Sequence, residues 1–427
     1  MKNRRARLGA AAAVFASNWL VAWGSQAAVE VNWKAPWREP RDRVAAEQRS
    51  DEYAWRLFVA LNWPANIAAR AADPSADFGA DRPVVWETWA TAGEVYLEDG
   101  RDPGHWARRA RSLQPERRFE TTGLLDLHAA RHIVDGVMVP LVEPLEAAGR
   151  LTEIRMNRYT FDYIRARELY NVGGQLRAYG RSTRVSFPYG AKEVKATWRP
   201  IDPSQGARYH TTWVAFADGS RRLYGLTGLH VVSKDLPHWF WATFEHVDNP
   251  SLKGNEGWKL TSRDRFSCPT KATDCDGAPT TIGLGGTVWQ YYRLRGSQTR
   301  FVDDQSQPTR LANSELESGF QRSASCMTCH SRSAVGVIAG VPSRLPVFDS
   351  SSAEEHDARS RRGFVGLPAA DWFDPGTQAH FKSLDFVWSL SNAKAKAGSP
   401  VEQIRIDAHS TPSSGADRSF SNARSSR

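Results

Sequence analysis

The sequence predicts an α+β protein in which an aromatic-rich domain with antiparallel sheet is followed by a small helical segment. Of its 427 residues, 17 are Trp, 18 are Phe and 11 are Tyr, which indicates broad aromatic packing. The middle of the chain alternates apolar and polar residues with the two-residue period of strands, whereas flanking segments repeat apolar residues at helical spacing. At roughly 150 residues per domain, the length predicts two to three domains.

The first 27 residues have the pattern of a secretory signal peptide. Four basic residues and no acidic residue occur in this stretch, an apolar run occupies 8–23, and Ser25-Gln26-Ala27 supplies small residues for cleavage. A membrane anchor is the alternative, but the apolar run is shorter than the roughly 20 residues that a span needs. We expect a periplasmic protein with no stable membrane span after signal removal.

Composition argues against two other classes of protein. Apolar residues make up 41% of the chain, which is enough for a packed core and excludes a mostly disordered protein. The net charge of +9 falls to 9 − 4 = 5 without the signal, and no lysine-rich run strengthens it. We therefore expect no nucleic-acid partner.

The aromatic-rich domain is expected over 28–300. Residues 53–64 place Trp55, Phe58 and Leu61 at helical spacing and end at Asn62-Trp63-Pro64, and 159–170 also read as an amphipathic helix. From Glu193 the period becomes two. The segments 208–216 and 221–233 flank 217–220 (Ala-Asp-Gly-Ser), a turn sequence that predicts a hairpin.

Two of the four cysteines, Cys268 and Cys275, lie in a loop rich in Pro, Thr, Asp and Gly. In an oxidising compartment, a nearby pair of this kind predicts a local disulfide bond that pins the loop. A redox pair or a metal site is the weaker alternative.

The other two cysteines belong to Cys326-Met327-Thr328-Cys329-His330, which has the C-x-x-C-H pattern of c-type haem attachment. Two thiols three positions apart on one helical turn can reach the two vinyl groups of one porphyrin, and the adjacent imidazole then faces the iron. The sequence thus predicts one covalent haem c on Cys326 and Cys329, with His330 as an axial iron ligand. A second disulfide, or a redox C-x-x-C beside an incidental histidine, is the alternative.

The residues around this motif predict a cytochrome-c-like haem segment over 301–395. Residues 309–320 suggest a helix that leads into the motif, and 376–396 suggest an amphipathic closing helix that crosses it. Beyond them, 396–427 is poor in apolar residues and predicts a flexible tail.

The second axial ligand is not a methionine of the usual kind, because no Met follows Met327. Met138 and Met156 lie far upstream and are more typical of core filler. The iron is then either open or bound by another donor. Lys234 is a weak candidate for this donor. The stronger candidates are four histidines: His246, His230, His380 and His356.

Several segments together resemble a family of periplasmic proteins that carry the c-type cytochrome signature and have no established activity. The resemblance extends over roughly residues 50 to 395 and implies that the sheet domain and the haem segment belong together, with His230 and His246 in family-typical motifs. The resembling segments are 193–198, 224–234, 238–249, 292–302, 308–320 and 325–330.

Three functions are consistent with these patterns. The first is a monohaem c-type cytochrome in single-electron transfer with a redox partner protein or a small-molecule donor or acceptor. The second is a haem enzyme, a peroxidase-like or oxygen-dependent oxidoreductase, whose larger domain forms the distal pocket with His246, Glu245 or His230 as catalytic candidates. The third is a haem-based binding or sensing module.

Overall fold

A computed structural model describes residues 33–108, 116–117, 149–182, 184–216, 219–249, 264, 266, 278–315, 317, 324–338, 340–345, 365–368, 370–373 and 381–400. Its α-helices are α1 (Arg43–Gln48), α2 (Ser50–Leu61), α3 (Ala92–Val95), α4 (Arg158–Ala166), α5 (Val172–Tyr179) and α6 (Cys326–Ser331). Its strands are β1 (Ala65–Asn66), β2 (Ala71–Ala72), β3 (Ala90–Thr91), β4 (Glu116–Arg117), β5 (Leu151–Met156), β6 (Lys192–Pro200), β7 (Thr211–Ala215), β8 (Arg221–Ser233), β9 (Phe240–His246), β10 (Tyr292–Gln298), β11 (Ala334–Ile338), β12 (Val341–Ser343) and β13 (Phe381–Ser383).

An eight-stranded sheet lies at the centre of the protein. Six strands follow the order β10-β9-β8-β6-β5-β3, and β7 pairs with β8 and with β4. All of these pairs are antiparallel except that of β4 with β7. The prediction of an α+β fold with antiparallel sheet is thereby confirmed.

The predicted hairpin is also confirmed. β7 and β8 pair antiparallel from Thr211 with Gly225 to Ala215 with Arg221. Gly219 in the connection has φ +82°, a left-handed conformation that favours glycine.

The two predicted helices of the first domain form as α2 and α4. In α2, Asn62 follows the last turn, and its side-chain amide donates to the carbonyl of Phe58 at 2.8 Å, which satisfies an end carbonyl. Asn157 caps α4 by accepting from the backbone N–H of Thr160 at 3.1 Å.

The central sheet separates two cores. One core packs α2 against the first face of the sheet, with Phe58 against Phe244 at a centroid distance of 4.4 Å. The second core lies on the other face, where Trp241 and Met156 pack with Met327 and Leu384 from the carboxyl-terminal part of the chain. The sheet domain and the C-x-x-C-H motif thus share one core.

The closing segment differs from the amphipathic helix predicted over 376–396. Its described residues form β13, which pairs with β11 in a three-stranded sheet, and a 3-10 helix at Trp388–Asn392. Leu384, Val387 and Leu390 are buried at steps of three, and each step is closed by a backbone hydrogen bond between residues three apart. The apolar spacing that suggested an α-helix belongs to successive tight turns.

The helix predicted over 309–320 does not form in its described part either. Residues 309–313 have no helical structure, and α6 is the one α-helix among the described residues of 301–395. Asn313 is held from outside the segment, because its side-chain amide donates to Thr243 Oγ1 at 3.0 Å and to the Phe244 carbonyl at 3.1 Å. The prediction of two crossing helices is wrong for the described residues, and contacts with the sheet hold this segment.

Among the described residues, we find no helix whose length and apolar character would let it cross a membrane.

Candidate functional site

The C-x-x-C-H motif forms the short helix α6. Ser325 caps it and accepts from the backbone N–H of Thr328 at 3.3 Å. Met327 and Thr328 are fully buried, whereas Cys326, Cys329 and His330 are only half-buried. The two thiols and the imidazole therefore lie on one half-buried side of the helix. Met327 and Thr328, on the other side, pack into the interior of the protein.

The two thiols are not bonded to each other. Burial raises the pKa of the Cys329 thiol to about 11 and raises the pKa of Cys326 as well. A redox C-x-x-C depends on a lowered thiol pKa, so this environment is unlike that of a disulfide oxidoreductase.

His330 has one ring nitrogen engaged and the other available. Its Nδ1 donates to the carbonyl of Phe386 at 2.9 Å, and Nε2 has no hydrogen bond to any residue that the structure describes. Burial lowers the pKa of His330 to about 4, which keeps the ring neutral at neutral pH. A neutral imidazole whose Nδ1–H is held by a carbonyl is the form in which histidine binds a metal through Nε2.

An unusual turn presents the Phe386 carbonyl. Asp385 and Phe386 have φ +54° and +69°, so two consecutive residues are left-handed without a glycine. Asp385 is held by an ion pair with Lys234 Nζ at 2.7 Å and by the backbone N–H of Phe187, also at 2.7 Å. Lys234, the weaker ligand candidate, is therefore already used in a buried ion pair.

The second face of the sheet lies against His330. The ring of Trp241 on β9 is 4.6 Å from the His330 ring, between centroids. Two residues further along β9, Thr243 points to the same face, because side chains alternate along a strand.

His230 on β8 lies on this same face. It pairs across the sheet with Thr243 on β9 and with Lys195 on β6, and paired residues share a face. Trp241, which contacts His330, is a diagonal neighbour of His230, and such neighbours are roughly 7–8 Å apart. The structure thus brings His230 close to His330.

The His230 side chain has an unsatisfied nitrogen. Its Nε2 is shielded from solvent and has no hydrogen-bond partner among the described residues. Burial is the main cause that lowers the pKa of His230 to about 3, and the charges of Lys195 and His330 contribute less. The ring is therefore neutral at neutral pH. A buried polar atom without a partner costs stability and calls for an explanation.

His246 does not belong to this group. It lies five residues after Trp241 on β9, about 17 Å along the strand, and the odd step places it on the opposite face. Its Nε2 donates to the Arg208 carbonyl at 3.0 Å, and its Nδ1 accepts from the backbone N–H of Asp248 at 3.1 Å. Its ring stacks on Tyr209 at 3.7 Å. Both nitrogens are occupied, so the expectation that His246 reaches the iron or moves protons there does not fit.

Glu245 shares the face of Trp241 but is equally committed elsewhere. Its carboxylate accepts from Arg293 Nη2 at 2.8 Å, and the Nη1 atom of Arg295 is 3.3 Å away. The hydroxyl of Ser314 also donates to it, at 2.6 Å. Glu245 is thus the centre of a buried ion-pair network, and the role of proton donor beside the iron does not fit it.

Of the remaining residues singled out in the sequence, Met156 lies in the core and the others lie outside the described residues. Met156 is fully buried in the second core, three strands from Trp241, or about 14 Å. This position agrees with core filler. The predicted signal and the part of the predicted tail beyond residue 400 lie outside the described ranges. Five candidate residues do so too: Met138, Cys268, Cys275, His356 and His380.

Sequence reasoning did not identify the groups that orient His330. The Phe386 carbonyl, Asp385 and Phe187 lie far from the motif in sequence, and a backbone acceptor leaves no signature in residue type. Consecutive left-handed residues other than glycine also have no sequence marker.

The donors on this face fit a covalently attached haem. Two unbonded thiols, one neutral imidazole with a free Nε2 and a second neutral imidazole with an unsatisfied Nε2 lie in one region. Within the described ranges, no group of three or more His, Cys, Asp or Glu side chains could hold a metal ion by itself. Comparisons of the chain with protein-family models, with curated proteins and with solved structures found no match.

Proposed function

We propose that this protein is a periplasmic monohaem c-type cytochrome that carries single electrons for a redox partner protein or a small-molecule donor or acceptor. Cys326 and Cys329 would hold the haem as thioethers, and His330 would bind the iron. When bound, haem c supplies a one-electron iron couple whose potential the protein tunes through ligation and burial. The resemblance to the periplasmic family with this signature is part of the same proposal.

One observation carries the proposal: α6 places two half-buried thiols and a half-buried imidazole on one side, while the Phe386 carbonyl accepts from His330 Nδ1. That hydrogen bond fixes which nitrogen faces outward and makes the ring a better donor. The chain's own residues thus orient the ring and, through burial, keep it neutral.

The alternative of a haem enzyme has less support. Of its three catalytic candidates, His246 and Glu245 have their polar atoms engaged away from His330, which leaves His230 as the one candidate near it. A haem sensor requires an open iron position, and binding of carbon monoxide distinguishes it from an electron carrier.

The experiment is expression with a cytochrome c maturation system, followed by intact mass and a pyridine haemochrome spectrum. We expect the mass of one haem and the spectrum of two thioether links, and the double variant Cys326→Ser/Cys329→Ser should lose both. Met327→Leu, a change between the two cysteines, is the matched control and should keep the haem. A mature wild-type protein without added haem mass contradicts the proposal.

The cellular location is tested separately. Fractionation of cells that express the full chain should recover the haem protein in the periplasm, shortened at its amino terminus. Recovery of the unprocessed chain in the cytoplasm would contradict the proposed export.

A further inference from the structure

The His230 imidazole occupies a place in the sheet that packing alone does not explain. It lies in the middle strand of the row Lys195–His230–Thr243, with strands on both sides. Its neighbour Thr243 is satisfied by the side-chain amide of Asn313 at 3.0 Å. His230 Nε2 is shielded from water and has no partner within the described part of the chain. The Nε2 atom of His230 is thus a nitrogen able to bind a metal that no described residue occupies.

The His230 side chain lies in the same region of the sheet as the residues that contact the C-x-x-C-H motif. Trp241 connects the two histidines, because it contacts the His330 ring at 4.6 Å and is the diagonal neighbour of His230. The two rings therefore belong to one site, one from α6 and one from the sheet.

The other described histidines near this face are less suited. His246 is on the opposite face with both nitrogens engaged. His238 is exposed and lies beside Phe386, with ring centroids 5.9 Å apart. It is buried by neither the sheet nor the second core, whereas the Nε2 atom of His230 is fully shielded.

We propose that His230 is the second axial ligand of the haem iron, so that His330 from α6 and His230 from β8 bind it from the two sides. This inference rests on the proposed haem attachment. A bis-histidine iron is six-coordinate and low-spin, and it has a lower potential than an iron bound by His and Met.

The test is the optical and electron paramagnetic resonance spectra of the matured full-length protein, wild type and variants. Wild type should be low-spin in both oxidation states and should not bind carbon monoxide. His230→Gly should become high-spin and bind carbon monoxide, and added imidazole should restore the low-spin spectrum. His230→Met should stay six-coordinate, with the charge-transfer band of methionine ligation and a higher reduction potential.

Matched controls are His246→Ala, another buried histidine of the sheet, and His238→Ala, an exposed histidine near the site. Both should keep the wild-type spectrum. The same substitution at His356 and at His380, which lie outside the described residues, completes the set and should also leave the spectrum unchanged.

The outcomes separate this inference from the proposed function. A wild type without haem mass removes both. A haem-bearing wild type that is high-spin, or a low-spin spectrum that persists in His230→Gly, overturns the assignment of His230 alone. Loss of the low-spin spectrum on changing His238, His246, His356 or His380 with His230 intact overturns it too.

Discussion

The two faces of the central sheet use the same strands for different purposes. On the first face, Phe244 of β9 packs on Phe58 of α2 among aromatic rings. On the second face, one residue further along β9, Glu245 is surrounded by Arg293 and Arg295, and His230 lies on the adjacent strand β8. Alternation along the strands thus gives the first face, the apolar face, a hydrophobic core. The second face, which we call the polar face, carries buried charged and polar side chains beside the second core.

The two faces differ in what their buried side chains require. On the apolar face, stability depends on how completely the buried side chains fill the core. On the polar face, burial is tolerable only where each group finds a partner. Glu245 meets this condition several times over, whereas His230 Nε2 does not. The unsatisfied atom is the stronger functional signal of the two.

The largest expected effect comes from breaking the polar network at its centre. Glu245→Ala removes the carboxylate that pairs with the two buried guanidinium groups of Arg293 and Arg295, which should lower the free energy of unfolding by about 5 kcal/mol. Chemical denaturation measures this. Glu245→Gln, which keeps the volume and an acceptor, should cost less.

In matured protein, both Glu245 variants that remain folded should keep the wild-type haem spectrum. A changed spectrum would mean that Glu245 acts at the iron and that the polar network is part of the site.

On the apolar face, Phe58→Ala should lower the free energy of unfolding by about 4 kcal/mol, because it opens a cavity among four aromatic neighbours. Phe58 has no exposed surface and its ring centroid lies 5.4 Å from Trp55 and 5.6 Å from Trp289. Trp213→Ala is the control, since Trp213 is 42% exposed and should change stability by less than about 0.5 kcal/mol. Equal losses in both variants would contradict the distinction between core and surface.

The predictability of these regions from sequence differs in the same way. The helix at 53–64 and the strands around 217–220 were predictable, because apolar periodicity and turn residues are local signals. The C-x-x-C-H motif was also recognisable, because its five residues are contiguous in the sequence. The placement of His230 beside it was not, since it depends on the register of β8 against β9.

The same limit explains the predictions that the observed contacts do not support. Leu384, Val387 and Leu390 have apolar spacing that fits an α-helix nearly as well as tight turns, and only the left-handed Asp385 and Phe386 decide between them. His246 was proposed from a motif that contains it, yet a step of one residue along β9 decides which face it occupies.

The third-largest expected effect is a pH dependence of stability, which arises from Glu193 on the polar face. Glu193 on β6 accepts from the Ser389 hydroxyl at 2.7 Å, and burial raises its pKa to about 7 from an ordinary value of 4.5. Below pH 4.5 the carboxyl is protonated in both folded and unfolded states. Between pH 4.5 and 7 the unfolded chain releases the proton first, so stability falls as pH rises, by up to about 3 kcal/mol.

Glu193→Gln removes this titration and keeps an acceptor for Ser389. At pH 8 the variant should be more stable than wild type by up to about 3 kcal/mol, and at pH 4 the two should be equal within error. Burial also raises the pKa of Glu317 to about 7, but that group is present in both proteins and cancels in the difference. Denaturation curves at the two pH values measure it, and a pH-independent difference would show that Glu193 does not titrate in this range.

The smallest expected effect tests the turn that joins the polar face to the haem motif. Asp385→Asn keeps a residue that tolerates the left-handed conformation but removes the ion pair with Lys234, which should cost about 2 kcal/mol of stability. Because Asp385 precedes Phe386, a looser turn should weaken the 2.9 Å hydrogen bond from His330 Nδ1.

A weaker hydrogen bond makes the imidazole a poorer donor to iron, so the reduction potential of matured Asp385→Asn should rise. Arg165→Gln is the control, because it breaks the exposed ion pair of Arg165 with Asp102 and should leave the potential unchanged. If Asp385→Asn loses stability while its potential stays at the wild-type value, the Phe386 carbonyl is held by the surrounding packing. The ion pair would then belong with the structural network around Glu245, and the functional part of the polar face would be confined to His230 and the motif itself.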